Sequence, residues 1–414
     1  MRKTVFLTAV FLCSAFVFTL SAADIKGIYQ KARGGDIQSM FDLAECYATG
    51  SGVTKKIPNA LLWYEKASAK DHAKASLRLA NYHLTGSFEN PDLTPLATLP
   101  AEIFPAVTYY DRDTEANMRR FKDKLINDKN TKNQAENFRK AIDFYRKAAK
   151  DGDADAKYIF GIFCFHGMTN DSLNAEDFLP AAEAGNPFAQ YFLGICYASA
   201  KGCEKDIQKA QDWLLKSVGN DFVHAQYYFG KCYNFGKFFM RYYEKAIEYF
   251  TMAAKQGHPD ALFILGRLHA LGLGTKKNPE EAAKLFREAA NRNHPDAQYA
   301  LALCLTEGFG VEKNPAEAAN FFKMAADNGV INAMYRYAMC CRNSIGIAEN
   351  PEEAAKYFLF AAANNYCDAI YRFGVCKIKG YGTQLDQELG AAFIFDASRK
   401  IFYLFPCRTV ASRW

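Results

Sequence analysis

Residues 257–329 read GHPDALFILGRLHALGLGTKKNPEEAAKLFREAANRNHPDAQYALALCLTEGFGVEKNPAEAANFFKMAADNG, one sentence said twice. Ala261 returns as Ala297, Gly272 as Gly308, Gly274 as Gly310, Pro279 as Pro315, Ala282 as Ala318 and Phe286 as Phe322, each step being 36 residues. A period of that size belongs to stacked arrays, in which each unit buries its apolar face against its neighbours.

Each unit holds two amphipathic segments. With Ala261 as position zero, Leu265 (+4), Leu268 (+7), His269 (+8) and Gly272 (+11) gather on one helical face at about 100° per residue. Gly266 at +5 lies at the edge of that face, where another helix can approach its backbone closely. The G-x-G that follows stops the helix and opens a turn. Asn278 and Pro279 then supply an N-cap and a first-turn proline, and Ala282, Leu285, Phe286 and Ala289 form the core face of a second helix. One unit is therefore a helical hairpin.

Working outward, Ala189, Ala225, Ala261, Ala297, Ala333 and Ala369 keep the 36-residue register. Upstream, position zero falls at Ser39, Ala75 and Ala156, which makes about nine hairpins over 39–400. The step from Ala156 to Ala189 is 33 residues, which predicts a shortened connection. The step from Ala75 to Ala156 is 81 residues, which places an insertion at 87–136. Long insertions in such arrays lie on one edge, often beside the binding surface. Residues 24–38 read as an N-terminal capping half-repeat and 401–414 as an apolar, irregular cap or tail.

The spelling A-x-x-x-L-G…G-x-G…N-P-x-x-A…F-x-x-A-A-x-x-G closely resembles the Sel1-like repeat, a relative of the tetratricopeptide repeat. Leu265-Gly266, Gly272–Gly274, Lys277-Asn278-Pro279, Ala282, Phe286, Ala289-Ala290 and Gly308–Gly310 carry the resemblance. It implies an all-α, right-handed superhelical solenoid that mediates protein interactions, and it names no partner.

The first 23 residues are of another kind. Met1-Arg2-Lys3 is basic, Thr4–Leu20 is apolar, and Ser21-Ala22-Ala23 offers the small residues that signal peptidase requires. They read as a signal peptide cleaved after Ala23, which sends the chain to the periplasm, the cell envelope or the outside. No other run is apolar enough to span a membrane. Loss of Arg2 and Lys3 takes the formal charge from +6 to +4, too mild for a nucleic-acid footprint.

Of the 12 cysteines, Cys46, Cys196, Cys232, Cys304, Cys340 and Cys376 share position +7, which points into the hairpin core. Equivalent positions of neighbouring hairpins lie roughly 10 Å apart, beyond the reach of a disulfide. The Sel1-like subgroup with a bridge in every unit places a second cysteine on the other helix, and nearly all units here lack it. His258 and His294 share one position before Pro-Asp-Ala, and His72 a similar one, so they read as turn residues. There is no H-E-x-x-H, no G-x-S-x-G, no P-loop and no G-x-G-x-x-G. The expectation is a protein that is not an enzyme and uses no metal or cofactor.

Position +2 carries an aromatic row: Phe41, Tyr158, Tyr191, Tyr227, Phe263, Tyr299, Tyr335 and Tyr371, with Leu77 the exception. On the wheel it falls opposite the core face. The resemblance to tetratricopeptide repeats would set that face on the concave side, where the rings floor a groove; alternatively, they stack between adjacent first helices. Position +6 varies (Ile195, Lys231, Arg267, Leu303, Met339, Val375), with Lys231 and Arg267 a basic middle. The expected site is Tyr191, Tyr227, Lys231, Phe263, Arg267, Tyr299, Tyr335 and Tyr371, holding a protein or peptide segment. A secreted Sel1-like enzyme acting on cell-wall or β-lactam material is the alternative, and it needs a nucleophile and base that no motif supplies. An architectural envelope protein is a third reading.

Overall fold

A helix-stop glycine, a capped restart and small residues facing large ones recur along the chain, and the fold follows from them. The computed structural model describes residues 22–89, 131–165, 169, 171–237 and 239–404. Most of the signal-peptide reading (1–21), the middle of the insertion (90–130) and the tail (405–414) lie outside the described residues. The chain divides into two compact units between Ala225 and Gln226.

In the first unit, α1 (Ala22–Arg33) packs on α2 (Ile37–Thr49), which pairs with α3 (Ile57–Ser68). Next, α4 (Ala73–Thr85) pairs with α5 (Thr131–Lys150), so one hairpin closes across the insertion. Residues 131–136, read as the end of that insertion, are already helical. The Tyr145 hydroxyl donates to Asn81 Oδ1 at 2.7 Å, fastening α5 to α4. On the near side, Arg78 and Asn81 both donate to the Phe88 carbonyl, and the Phe88 ring stacks on Tyr82.

The third hairpin pairs α6 (Ala154–Phe165) with a 3-10 turn (Ala175–Phe178) that runs into the short α7 (Leu179–Glu183). The shortened step therefore falls on the second helix as well as its connection. Pro180 is the reason: it fits only a helix's first turn, so the α-helix restarts beside it. The unit continues with α8 (Pro187–Ser199) against α9 (Ile207–Gly219).

The second unit holds most of α10 (Val223–Phe235) with α11 (Tyr243–Lys255), then α12 (Pro259–Leu271) with α13 (Pro279–Asn291) and α14 (Pro295–Glu307) with α15 (Pro315–Asp327). It closes with α16 (Ile331–Asn343) and α17 (Pro351–Ala363), then α18 (Cys367–Lys379) and α19 (Gln387–Leu404). The described residues thus form nine hairpins with no strand, and within each unit consecutive pairs stack as a solenoid's do.

Position +5 is where the two helices of a hairpin touch. A Cβ built on Gly266 would stand 2.8 Å from the Phe286 ring, and one on Gly230 2.5 Å from Phe250. Ala302 and Ala338 occupy the same position and are fully buried. The second glycine of each G-x-G is tight for another reason. At φ +69, Gly310 lies against the first turn of α13, where a Cβ would meet the Pro279 carbonyl oxygen at 2.0 Å. The cysteines of the +7 row are all buried, and burial pushes the thiols of Cys304 and Cys340 up to about 11. They fill core space.

Gly266→Leu should cost about 1–3 kcal/mol by overpacking, and Gly266→Ala less. Hydrogen exchange should locate the loss in α12–α13 and the hairpins beside it, because each unit contacts only its neighbours. Uniform loss along the chain would contradict this.

Candidate functional site

Two first helices of the second unit, α12 and α14, begin with a histidine side-chain cap. His258 Nδ1 accepts from the Ala261 N–H at 3.4 Å, and His294 Nδ1 accepts from the Ala297 N–H at 3.1 Å. In the first unit, His72 caps α4 in the same way. The turn histidines are therefore N-caps, made by the ring where asparagine or aspartate would serve. Because Nδ1 accepts, His294 carries its proton on Nε2 and donates to Asp260 Oδ1 at 3.0 Å.

These capping residues explain where the aromatic row lies. Phe41, Tyr227, Phe263 and Tyr335 each sit between the second-helix aromatic of their own hairpin and the capping-position residue of the next first helix. Phe263 lies 5.7 Å from Phe286 and stacks on His294 at 4.9 Å. Tyr227 packs against Phe250 and stacks on His258 at 4.4 Å. Tyr335 packs against Phe358 and Tyr366, while Tyr299 packs against Phe322. In the first unit Tyr191 lies against Phe192, its neighbour on the same helix, and against Phe222 at the next capping position.

The row is accordingly uneven. Tyr191 is 1% exposed and Phe263 5%, so neither ring faces solvent. Tyr227, Tyr299 and Tyr335 are half-buried, and Tyr371 is 46% exposed. Stacking between adjacent first helices takes the form of a contact with the next first helix's capping residue, Tyr227 on His258 and Phe263 on His294. A first helix gripped on two sides keeps only a narrow open stripe, to which Arg267, Leu271 and Arg336 belong.

Two clusters result. Around Asp260, Lys231 Nζ stands 5.4 Å over the Tyr227 ring, and the Arg267 guanidinium 5.8 Å over Phe263, within cation–π range. Burial pushes the Asp260 carboxyl up, but the His294 hydrogen bond, the facing His258 and His294 rings and the Lys231 charge outweigh it and hold it below its ordinary value. The second cluster joins Tyr335 and Tyr366 at 5.1 Å, with Tyr299, Arg336 and Asp368 close enough to act on the Tyr366 phenol. Burial first, then Asp368, raises that phenol. Tyr366 and Arg336 are not among the eight site residues expected from the sequence. Their only sequence signal is that Tyr366 holds the capping position taken by His258 and His294.

A polar row completes the face. Gln298 is fully buried, donates to the Ala290 carbonyl of the preceding hairpin and accepts from Asn328 at 3.1 Å. Gln190 does the same between Ala182 and Asn220 in the first unit. Among the described residues, no three His, Cys, Asp or Glu side chains converge as a metal-ligand set, and no helix is long and apolar enough to cross a membrane.

The Sel1 repeat family profile matches residues 37–72, 133–153, 187–218, 223–258, 259–294, 295–330 and 331–366. The chitin synthase regulator SKT5 of Saccharomyces cerevisiae is 33% identical over 88 residues, 20% of this chain; the chain spans only 12% of that protein's length. Among solved structures, a Sel1 repeat protein from Oxalobacter formigenes aligns at TM-score 0.46 and 22% identity, over 91% of this chain and 86% of its own. A protective antigen of uropathogenic Escherichia coli with an SLR fold aligns at 0.42 and 18%, over 94% and 99%. Yeast Tom70 aligns at 0.33 and 17%, over 91% and 92%.

The histidine caps make stability depend on pH. Burial pushes His258 below the ordinary histidine value, with Asp260 pulling the other way. The cap needs a neutral ring, so its contribution is full above about pH 6.5 and is lost as pH falls through the lower folded value. The melting temperature should drop between about pH 7.5 and 5. It should drop less in His258→Asn, whose amide caps at any pH. Parallel slopes for the two proteins would refute the role of the ring.

Proposed function

The chain belongs to the Sel1 repeat family, and on that premise we propose that it is an exported, non-enzymatic scaffold that holds a protein segment on the open stripe of its first helices. Solenoids of this kind are typically used for protein–protein interaction. The observation that carries the finer reading is the pairing of basic and aromatic groups on one side of α10–α18. Lys231 and Arg267 stand over rings, and Tyr299, Tyr335 and Tyr371 continue the line. Such a surface suits an extended segment with acidic or carboxylate groups, which charge steers and ring edges hold. Tyr227 and Phe263 support the stripe from beneath.

The binding test uses the cell-envelope fraction as the source of partner. Arg267→Ala and Tyr371→Ala should each weaken capture about tenfold or more, as anchor residues do, and leave the melting temperature nearly unchanged. Raising salt should weaken the unmodified chain more than the Arg267 variant, because screening acts on the charge contribution. Equal capture by both variants would remove the stripe as the binding surface.

Export rests on the basic, apolar and small-residue order of residues 1–23. A reporter fused to residues 1–30 should leave the cytoplasm with processing after Ala23. Retention of the reporter inside the cell, or a mature chain still starting at Met1, would count against it.

A further inference from the structure

We propose that two copies of this chain pair through the outer face of α19, antiparallel across a two-fold axis. The other second helices carry charged and polar side chains on that face. On α13 the outer stripe is Glu280, Lys284, Arg287 and Asn291. Arg287 pairs with Glu317 of the next second helix, and Lys323 of α15 repeats the bond to Glu353 of α17 at 2.9 Å. One step further the pattern turns apolar. Leu359 holds the place of Lys323, and Leu389 of α19 the place of Glu353, at 39% and 42% exposure. On α19 itself the outer stripe reads Glu388, Ala392, Phe395 and Arg399, all exposed.

Gly390 and Ala397 are buried on the opposite side of α19, so the stripe points straight away from the hairpin. Phe395, 72% exposed, is the most exposed aromatic ring among the described residues, and Ala391 and Ala392 beside it on the helix surface are exposed too.

The stripe complements itself. A two-fold axis midway between Phe393 and Ile394 sets Phe395 of each copy over Ala392 of the other. The same axis sets Glu388 beside Arg399 of the second copy. Ala391 widens the hollow that receives the ring; it is exposed here, whereas Ala283, Ala319 and Ala355 at the same position are buried. Small residues opposite a large one let antiparallel helices approach to about 8–10 Å. An isologous contact of this sort closes as a dimer.

The test is sedimentation equilibrium of the purified chain from roughly 1 to 200 µM, since a single helix pair lies at the small end of specific interfaces. The expected result is a monomer–dimer equilibrium with a dissociation constant in the micromolar range. Phe395→Asp should abolish it, with the far-UV signal unchanged because the ring is exposed. E388R and R399E should each weaken the dimer tenfold or more by setting like charges opposite each other. The double variant E388R/R399E should restore it, because the reversed pairs meet across the axis. A chain that stays monomeric, assemblies that grow past two, or a double variant no tighter than either single one would each overturn the proposal.

Discussion

The contact between a residue without bulk at +5 of a first helix and an aromatic ring on the second helix is the constraint from which the rest follows. Where Phe286 lies against Gly266 and Phe250 against Gly230, the hairpin closes to a spacing that no larger side chain permits. The ring so placed turns its other side to the +2 aromatic, and that aromatic in turn meets the capping residue of the next hairpin. One intrahairpin contact is thereby passed on as an interhairpin one. The capping histidines finish the sequence of contacts: each satisfies an otherwise orphaned backbone N–H, and His294 also reaches back to Asp260 of the preceding first helix. Each of these bonds is local, and their repetition makes the array.

The same chain of contacts decides what the protein can offer a partner. Covering the +2 rings from two directions takes most of each first helix out of solvent and leaves charged or mobile side chains at the rim. Arg267 and Arg336 are exposed, while the Phe263 ring beneath is closed off. The aromatic row therefore stabilises the stack as well as lining it. Repeat architecture also separates roles: the close contacts of the hairpin core recur at +5 and +7, whereas the capping position and +3, +6 and +10 change chemistry from unit to unit.

Much of the fold was legible in the amino-acid order. Periodicity places the hairpins, their caps and the insertion, because a 36-residue repeat and a 3–4 spacing are both carried by the sequence itself. The buried cysteine row was legible for the same reason. What the helical wheel does not carry is which neighbour covers a face. Phe263 falls opposite the core face on a wheel, yet its covering groups are Phe286 and His294, which arrive from other helices. The Gln298 bridge between successive second helices was hidden in the same way, since glutamine reads as a surface residue until both its partners are in place. The broken second helix of the third hairpin left its mark as the 33-residue step from Ala156 to Ala189, read as a change in connection length.

The central claim is that each hairpin is an interchangeable unit, held by contacts that recur at one fixed period. Excising residues 259–294 removes one whole period and joins His258 to Pro295, the same junction chemistry that His258 makes with Pro259. The account predicts that this shortened chain keeps its helical signal per residue and still melts cooperatively, whereas removing only residues 277–294 collapses the array around the break. If the whole-period excision loses as much helical signal as the half-period one, the stack does not rest on a repeating set of contacts.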